Sequence, residues 1–497
     1  MLFRKHILSS GKKLLPDYLE YSGNSNQVSL PENISNHLFF TRFRIWIPFA
    51  RFIQWLGKNL RLYFLGLILM VPPLAGVTQD SLHKFTFHFQ LTTVFQGHPA
   101  FRAAYSGMNS LRDSAETALS LTTTLFLGRR LWKGASFYFN PEVAGGTGMS
   151  NTLGIAGFTN GETFRIGNPQ PQGYIARAFI RQHISLGQDS EKRTGEGVNE
   201  VNEVLPLPRL DITLGKLALS DIFDDNSVSH DPRTDFLNWS LMNNGAWDYA
   251  ANTRGYTYLI AFELIHRSWA LRYAEALEPT YANGPDINFQ LLKTQSENLE
   301  LDKNMLIGNE PGNIRLLGYL NNTRGASYLS LIRGKLNGTD TGMDVIYGTA
   351  YGNLKYGFGL NMDQQLNRQI SVFMRAGWDN GKTATWAFAN IDQTISGGIR
   401  ITGTYWDRQN DHVGIAGVSN GISPGHRAFL NAGGYDFMIG DGKLTHYGQE
   451  DILEIYYQAL FLRSLFITAD YQFVDHPAYN LDRGPVHVIS LRTHVEF

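Results

Sequence analysis

The densest set of side chains able to do chemistry runs from Ala218 to Arg254. Asp221-Ile-Phe-Asp224-Asp225-Asn226 leads into His230-Asp231-Pro-Arg233-Thr-Asp235-Phe-Leu-Asn-Trp239, and Trp247-Asp248-Tyr249 and Arg254 follow. Asp224, Asp225, Asn226 and Asp231 are the oxygen donors that calcium prefers. They lack both the alternating ligand positions and the closing glutamate of a calcium loop, so the likeness is one of composition and no metal is assigned. A sugar offers apolar C–H faces and many hydroxyls. Trp239, Trp247 and Tyr249 suit the faces, while Asp, Asn and Arg suit the hydroxyls. The same aromatics would equally pack the loop against a wall. Catalysis finds less support: His88, His487 and His494 belong to no recognisable Ser/His/Asp set. The chain has no cysteine, which excludes a thiolate metal site, a cysteine nucleophile and a disulfide scaffold. The expectation is a non-enzyme without cofactor and without a nucleic-acid partner.

Such a loop must be held by something, and the last twelve residues show what. Phe497, Val495, Thr493, Leu491 and Ile489 fall on one face, and Glu496, His494, Arg492 and Ser490 on the other. Alternation of this kind marks a strand with one apolar and one polar surface. It recurs near 84–95, 119–127, 134–142, 174–184, 209–217, 255–265, 268–276, 294–302, 313–322, 352–361, 370–377, 393–404, 411–418, 450–461, 465–474 and 486–497. Sixteen is an even number, as a closed antiparallel barrel with both ends on one side requires. Most windows approach the 9–11 residues that a tilted membrane strand needs. The connections alternate between short (266–267, 462–464) and long (96–118, 143–173, 218–254, 323–351, 419–449). Short inner turns and long outer loops belong to outer-membrane barrels. One connection breaks the rule: 185–208 should be a tight turn, yet its Glu/Gly/Asn-rich 24 residues read as a flexible excursion.

Composition agrees. Apolar residues make up 43%, aromatics 13%, and glycine contributes 50 positions, a profile for a barrel with a wet interior. Residues 1–76 carry nine of the 43 basic side chains and three of the 44 acids, leaving a net −7 beyond them. Lys58-Asn-Leu-Arg61, the apolar run Leu62–Leu69 and Pro72-Pro-Leu-Ala-Gly76 read as a signal peptide over 58–78. Residues 1–57 read as an unstructured extension or a mis-chosen start, and 79–497 as the barrel domain.

Strand parity places Arg177, Arg181, Arg272, Arg315, Arg375, Arg400 and Arg492 inward, with Glu142, Asp211, Glu263, Glu300, Glu454, Asp470 and Glu496. The two signs balance, which suits uncharged polar solutes; an ion-selective pore would show an excess of one sign. A loop folded into the bore would narrow it. The candidates for that constriction are Glu142, Arg177, Arg181, Asp224, Asp225, Asp231, Arg233, Asp235, Trp239, Trp247, Asp248, Arg254, Arg315, Arg375 and Arg400.

Several runs together carry a family likeness: Tyr105-Ser-Gly-Met-Asn-Ser-Leu111, Tyr138-Phe-Asn-Pro-Glu142 with Gly157-Phe-Thr-Asn-Gly161, Asp221 to Trp239, Trp247-Asp-Tyr-Ala-Ala251, Ala432-Gly-Gly-Tyr-Asp-Phe-Met-Ile-Gly-Asp-Gly442, Asp470-Tyr-Gln-Phe473, Pro477-Ala-Tyr-Asn480 and Arg483-Gly-Pro485. Dispersed over residues 84–497, they resemble the carbohydrate-selective outer-membrane porins of the OprB type. The resemblance implies a sixteen-stranded barrel in a Gram-negative outer membrane, passing mono- and small oligosaccharides by diffusion. General or non-sugar solute passage is the alternative. Implied partners are carbohydrates, outer-membrane lipid and the barrel-assembly machinery, which would engage the Phe497 strand. A monomer and a homotrimer both remain open.

Overall fold

The computed structural model describes residues 84–497 apart from 194–196, 340–341, 346–349 and 389. The expected extension (1–57) and signal peptide (58–78) lie outside the described residues.

Every expected window is a strand. The first half of the wall is β1 (Phe85–His98), β2 (Glu116–Trp132), β3 (Ala135–Gly146), β4 (Gln172–Arg193), β5 (Glu203–Leu217), β6 (Thr257–Ile265), β7 (Trp269–Ala276) and β8 (Gln295–Ile307). The second half is β9 (Glu310–Thr323), β10 (Asn353–Gln365), β11 (Ile370–Asp379), β12 (Gln393–Thr402), β13 (His412–Gly421), β14 (Glu450–Leu462), β15 (Leu465–Asp475) and β16 (Val486–Glu496). Each strand pairs antiparallel with its sequence neighbours, and β1 pairs with β16 to close the barrel. The closing register runs from Gln90 opposite Glu496 to Gly97 opposite Ile489. Phe497 seals it: its carbonyl accepts from Phe89 N at 2.7 Å and its own N–H donates back at 3.1 Å. Closure leaves the wall without an open edge in lipid, where an unpaired amide would cost several kcal/mol.

Alternation decides which way each side chain points. Leu453, Ile455 and Phe461 of β14 are exposed, while Glu454, Tyr456 and Gln458 between them are buried inside. The outer face carries Leu299, Leu316, Phe358 and Ile395, with Phe85, Trp132 and Phe461 toward the short-turn ends. An apolar band with aromatic borders is what a bilayer requires of a barrel exterior. Among the described residues no helix is long and apolar enough to cross a membrane; this chain crosses with strands. Turn chemistry fits the two-residue link Gly308-Asn309 between β8 and β9. Both residues have positive φ (61° and 76°), the mirror-image turn whose twist matches two antiparallel strands.

The 185–208 segment departs from the flexible excursion expected of it. Both strands simply continue, β4 to Arg193 and β5 from Glu203, paired past a bulge between Ser185 and Asp189. Hydrophilic composition conceals a ribbon whose inner side is buried at Leu205 and Leu207.

The apolar core lies inside the bore. Two long connections, 147–171 and 218–256, fold inward; the second is mostly buried, and the first is buried chiefly over 154–160. Between them and the wall pack Phe158, Phe223, Trp239, Trp247, Tyr249, Leu317, Tyr319, Trp386 and Phe388. The long-loop end also carries α1 (Tyr328–Leu336) and α2 (Pro424–Asn431). Ser423 caps α2 by accepting from His426 N at 3.1 Å.

Candidate functional site

The floor under the inward loop is glycine. On β10 and β11 the inner positions 359 and 377 have no side chain, and Asn244 lies flat on them. A Cβ at Gly359 would stand 2.4 Å from Asn244 Nδ2, and one at Gly377 2.0 Å from its Oδ1. No residue larger than glycine fits beneath the loop at this height.

Charged wall residues then grip the loop. Arg375 is fully buried; it sits 3.0 Å from an Asp224 carboxylate oxygen and donates to the carbonyls of Leu241 (2.9 Å), Ser229 (2.7 Å) and Asp224 (3.2 Å). Arg492 donates to the carbonyls of Pro232 (2.6 Å) and Asp235 (2.7 Å). Glu454 accepts from the N–H groups of Leu237 (2.6 Å) and Asn238 (2.9 Å), and Glu300 accepts from Asp224 N (2.8 Å). Burying a charge is costly unless it is paired and hydrogen-bonded, and here the loop backbone supplies the partners. The loop 147–171 is held likewise: Glu450 accepts from Ala156 N (3.0 Å) and Gly157 N (2.7 Å), and Gln96 and Gln472 donate to the Thr159 carbonyl.

The expected site residues therefore divide. Arg375 and Asp224 form a clamp. Asp235 pairs with Arg400 at 3.3 Å. Asp248 accepts from the amides of Trp386, Ala387 and Phe388 (2.8–3.1 Å) and is buried among them. Trp239 stacks on Phe158 and Phe388 (centroids 5.0 and 4.5 Å), and Trp247 donates its indole N–H to Asn298 at 2.9 Å. Both tryptophans and Tyr249 are buried. Of the two expectations for these aromatics, the geometry follows the packing one: they lie in one apolar cluster with Phe158, Phe223, Tyr319 and Phe388. Asp224, Asp225 and Asp231 do not converge. Asp224 faces Arg375, Asp225 approaches Arg315 at 3.8 Å, and Asp231 accepts from Arg233 N. Among the described residues no group of three or more His, Cys, Asp or Glu is arranged to hold a metal.

What remains open to water is a lining of opposite signs. Arg177 forms a two-pronged pair with Asp221 (2.7 and 2.6 Å) and lies over the Tyr256 ring. Burial pushes the Asp221 carboxyl up, yet the Arg177 guanidinium outweighs it and holds the group below the usual carboxylate range. The Asp225 side chain is 65% exposed; His230 and Arg315 likewise overcome its burial cost and keep it ionised. Arg315 pairs with Asp363 at 2.6 Å, and Arg272 touches Glu263, Glu300 and Asp302 within 3.2 Å. Arg181 lies over Phe179 and Tyr138 (5.4 and 5.8 Å).

Beside this lining is a small pocket of about 60 Å³, room for a few solute atoms rather than for a whole sugar ring. Phe164, Tyr174, Tyr256, Glu142, Glu162, Arg233 and Arg254 line it. Arg254 lies over Phe164 (4.4 Å) and Tyr174 (4.2 Å), and its Nη1 is buried without a hydrogen-bond partner among the described residues. Arg233 bridges Glu142 (3.2 Å) and Glu162 (3.1 Å). Burial raises the Glu162 carboxyl despite that arginine. Tyr174 and Tyr256 both donate to Glu142. Phe164, Tyr174, Tyr256 and Glu162 were not singled out from sequence. The signal available for Glu162 and Phe164 was their place just after the Gly157–Gly161 run; Tyr174 and Tyr256 lie where long loops meet β4 and β6.

A closed sixteen-stranded wall, apolar outside and polar within, narrowed by an inward loop, defines an outer-membrane porin. The chain belongs to the carbohydrate-selective porin, OprB family, whose model matches residues 108–497, and its place is the bacterial outer membrane. Among solved structures, the high-pH structure of Pseudomonas putida OprB is 16% identical, with TM-score 0.61, over 83% of this chain and 94% of that one. The low-pH structure of the same protein (12%, TM-score 0.45, covering 83% and 93%) and the channel DcaP of Acinetobacter baumannii (10%, TM-score 0.45, covering 85% and 100%) are more distant. At these identities the likeness concerns the fold. No curated protein matches the chain.

Proposed function

We propose that this porin passes mono- and small oligosaccharides down their gradient, without an energy source. The observation that carries the reading is the pocket at Arg254 beside a lining whose charges neutralise one another. A neutral, hydroxyl-rich solute meets arginines and carboxylates paired side by side there. It finds the part-exposed Arg254 side chain for its hydroxyls, and the rings of Phe164, Tyr174 and Tyr256 for its C–H faces. Weak contacts of this kind speed permeation at low solute concentration without trapping the solute.

Liposome swelling with glucose, maltose, amino acids and salts tests the reading. Sugars should enter faster than amino acids of the same size. Equal rates for all solutes of one size would replace it with a general solute porin, the alternative favoured by the scarcity of unpaired wall charge. The terminal strand supports a further role: Phe497, seated on Phe89 with ring centroids 5.1 Å apart, would be the residue presented to the barrel-assembly machinery. Removing it should slow assembly in vivo while leaving the pore of assembled barrels unaltered.

A further inference from the structure

The ribbon formed by the ends of β4 and β5 does more than connect them. Pairing of β4 with β3 ends at Gln182, opposite Ala135, and pairing of β5 with β6 ends at Arg209, opposite Ile265. Beyond those points the ribbon runs alone, past the rim on the short-turn side. It is sharply bent: a Cβ at Gly187 would stand 2.5 Å from Pro208 Cδ and 2.7 Å from the Leu207 carbonyl, so only glycine allows the two backbones to meet. The bend turns one face inward. Leu205 is fully buried and Leu207 nearly so, whereas Val204, just before them, is 60% exposed.

The returning segment enters the bore. Val201 is fully buried in one cluster with the inner-face rings of Tyr138 and Phe179. Its Cγ1 lies 3.1 Å from where Gly128 would carry a Cβ on the inner face of β2. Around it, Thr86 Oγ1 donates to the Glu200 carbonyl at 2.6 Å, and Asn140 Nδ2 donates to Asn199 Oδ1 at 2.9 Å. Glu203 sits 3.4 Å from His183, whose other nitrogen lies 2.6 Å from Asp211. These partners belong to β1, β2, β3, β4 and β5, about a third of the wall. A backbone threaded between them occupies cross-section that would otherwise be open. It lies at the opposite end of the barrel from the extracellular loops.

We propose that residues 199–203 form a second constriction at the periplasmic exit, in series with the loop 218–256. Asn199 and Glu200 are half-buried there, on the side of the bore that carries Arg181. A solute leaving the first narrowing thus passes a second polar station before release. The claim concerns the cross-section of the pore and stands whichever solute is carried.

Two experiments on the purified full-length barrel test it. The first replaces Asn199, Glu200 and Val201 together by glycine and records single-channel conductance in planar bilayers. If the two narrowings offer comparable resistances in series, removing one predicts a rise of up to about 2-fold, with larger oligosaccharides admitted in liposome swelling. Unchanged conductance and size limit in barrels that keep their heat-modifiable migration would overturn the proposal. The second covers the case in which the triple variant does not fold. The chain has no cysteine, so Glu200→Cys supplies a single thiol for methanethiosulfonate reagents of increasing bulk, added to both compartments. Stepwise loss of current with reagent size is expected. Full current after complete labelling, verified by mass, would refute the placement.

Discussion

Replacing Arg375 by methionine tests whether the constriction is held by the wall. The methionine keeps most of the aliphatic stem and deletes the guanidinium. That guanidinium is fully buried, pairs with Asp224 at 3.0 Å and donates to three loop carbonyls. Removing one member of a buried, hydrogen-bonded charge pair costs about 3–5 kcal/mol, because the other charge is left uncompensated. The loss falls on docking of the loop, since the strand ladder does not run through Arg375's side chain. At tenfold per 1.4 kcal/mol, the undocked population rises by roughly three powers of ten. Open-channel current noise and mean conductance should both increase, with the barrel's heat-modifiable migration intact. Adding Asp224→Asn should recover part of the loss. The orphaned charge is then gone, and the single amide oxygen can still accept one of the two bonds, from Asn361 (2.7 Å) or from Asn244 N (2.8 Å). Unaltered noise and conductance in a folded Arg375→Met barrel, or a double variant worse than the sum of the two singles, would refute this account of the loop.

Further outcomes are expected. Gly377→Ala places a methyl 2.0 Å from Asn244 Oδ1; the loop should be lifted into the bore and conductance should fall, as planar-bilayer recording would show. Arg254→Leu removes the donor over Phe164 and Tyr174. It should weaken sugar block of ion current by roughly tenfold, the loss of a hydrogen bond from a charged donor, while permeation of small salts stays near wild type. In the outer loops His426 stacks on Tyr328 and lies 3.2 Å from both Asp392 and Asp436; Asp392 is in turn 3.8 Å from Lys355, and Tyr328 donates to Asp436. Burial lowers the His426 imidazole, but the two carboxylates outweigh it and raise it to about 9. A raised histidine stabilises fully below its unfolded value near 6.5 and ceases to as pH passes through about 9. Proteolysis within 422–449 should therefore accelerate between pH 8 and 10, and His426→Leu should lose that pH dependence; a flat profile in the native chain would contradict it.

The wall was legible because one physical requirement, lipid on one side and water on the other, imprints every second residue of each strand. Leu453 to Phe461 shows it without reference to any neighbour. Clamp and lining could not be told apart in the same way. Arg375 and Arg177 share parity and residue type, yet one is fully buried under the loop and the other faces Asp221 at the pore. Only the path of the loop separates them, and that path depends on Gly359 and Gly377, more than a hundred residues downstream of Asn244. Trp239 and Trp247 stayed ambiguous for the same reason, since an aromatic ring suits a sugar and a loop core equally well. The overhang of β4 and β5 was hidden by its polar composition; Leu205 and Leu207 carried the alternation, but in a stretch too rich in Gly and Glu to read as a strand.

The holders of the inward loop mostly address its main chain. Arg492 meets the carbonyls of Pro232 and Asp235, Arg375 those of Leu241 and Ser229, and Glu454 the amides of Leu237 and Asn238. Such grips are indifferent to what the gripped residues carry. Mutation can therefore reshape the narrowest passage residue by residue while its course stays put, so that descendants of one barrel can diverge in diet without first reinventing their architecture.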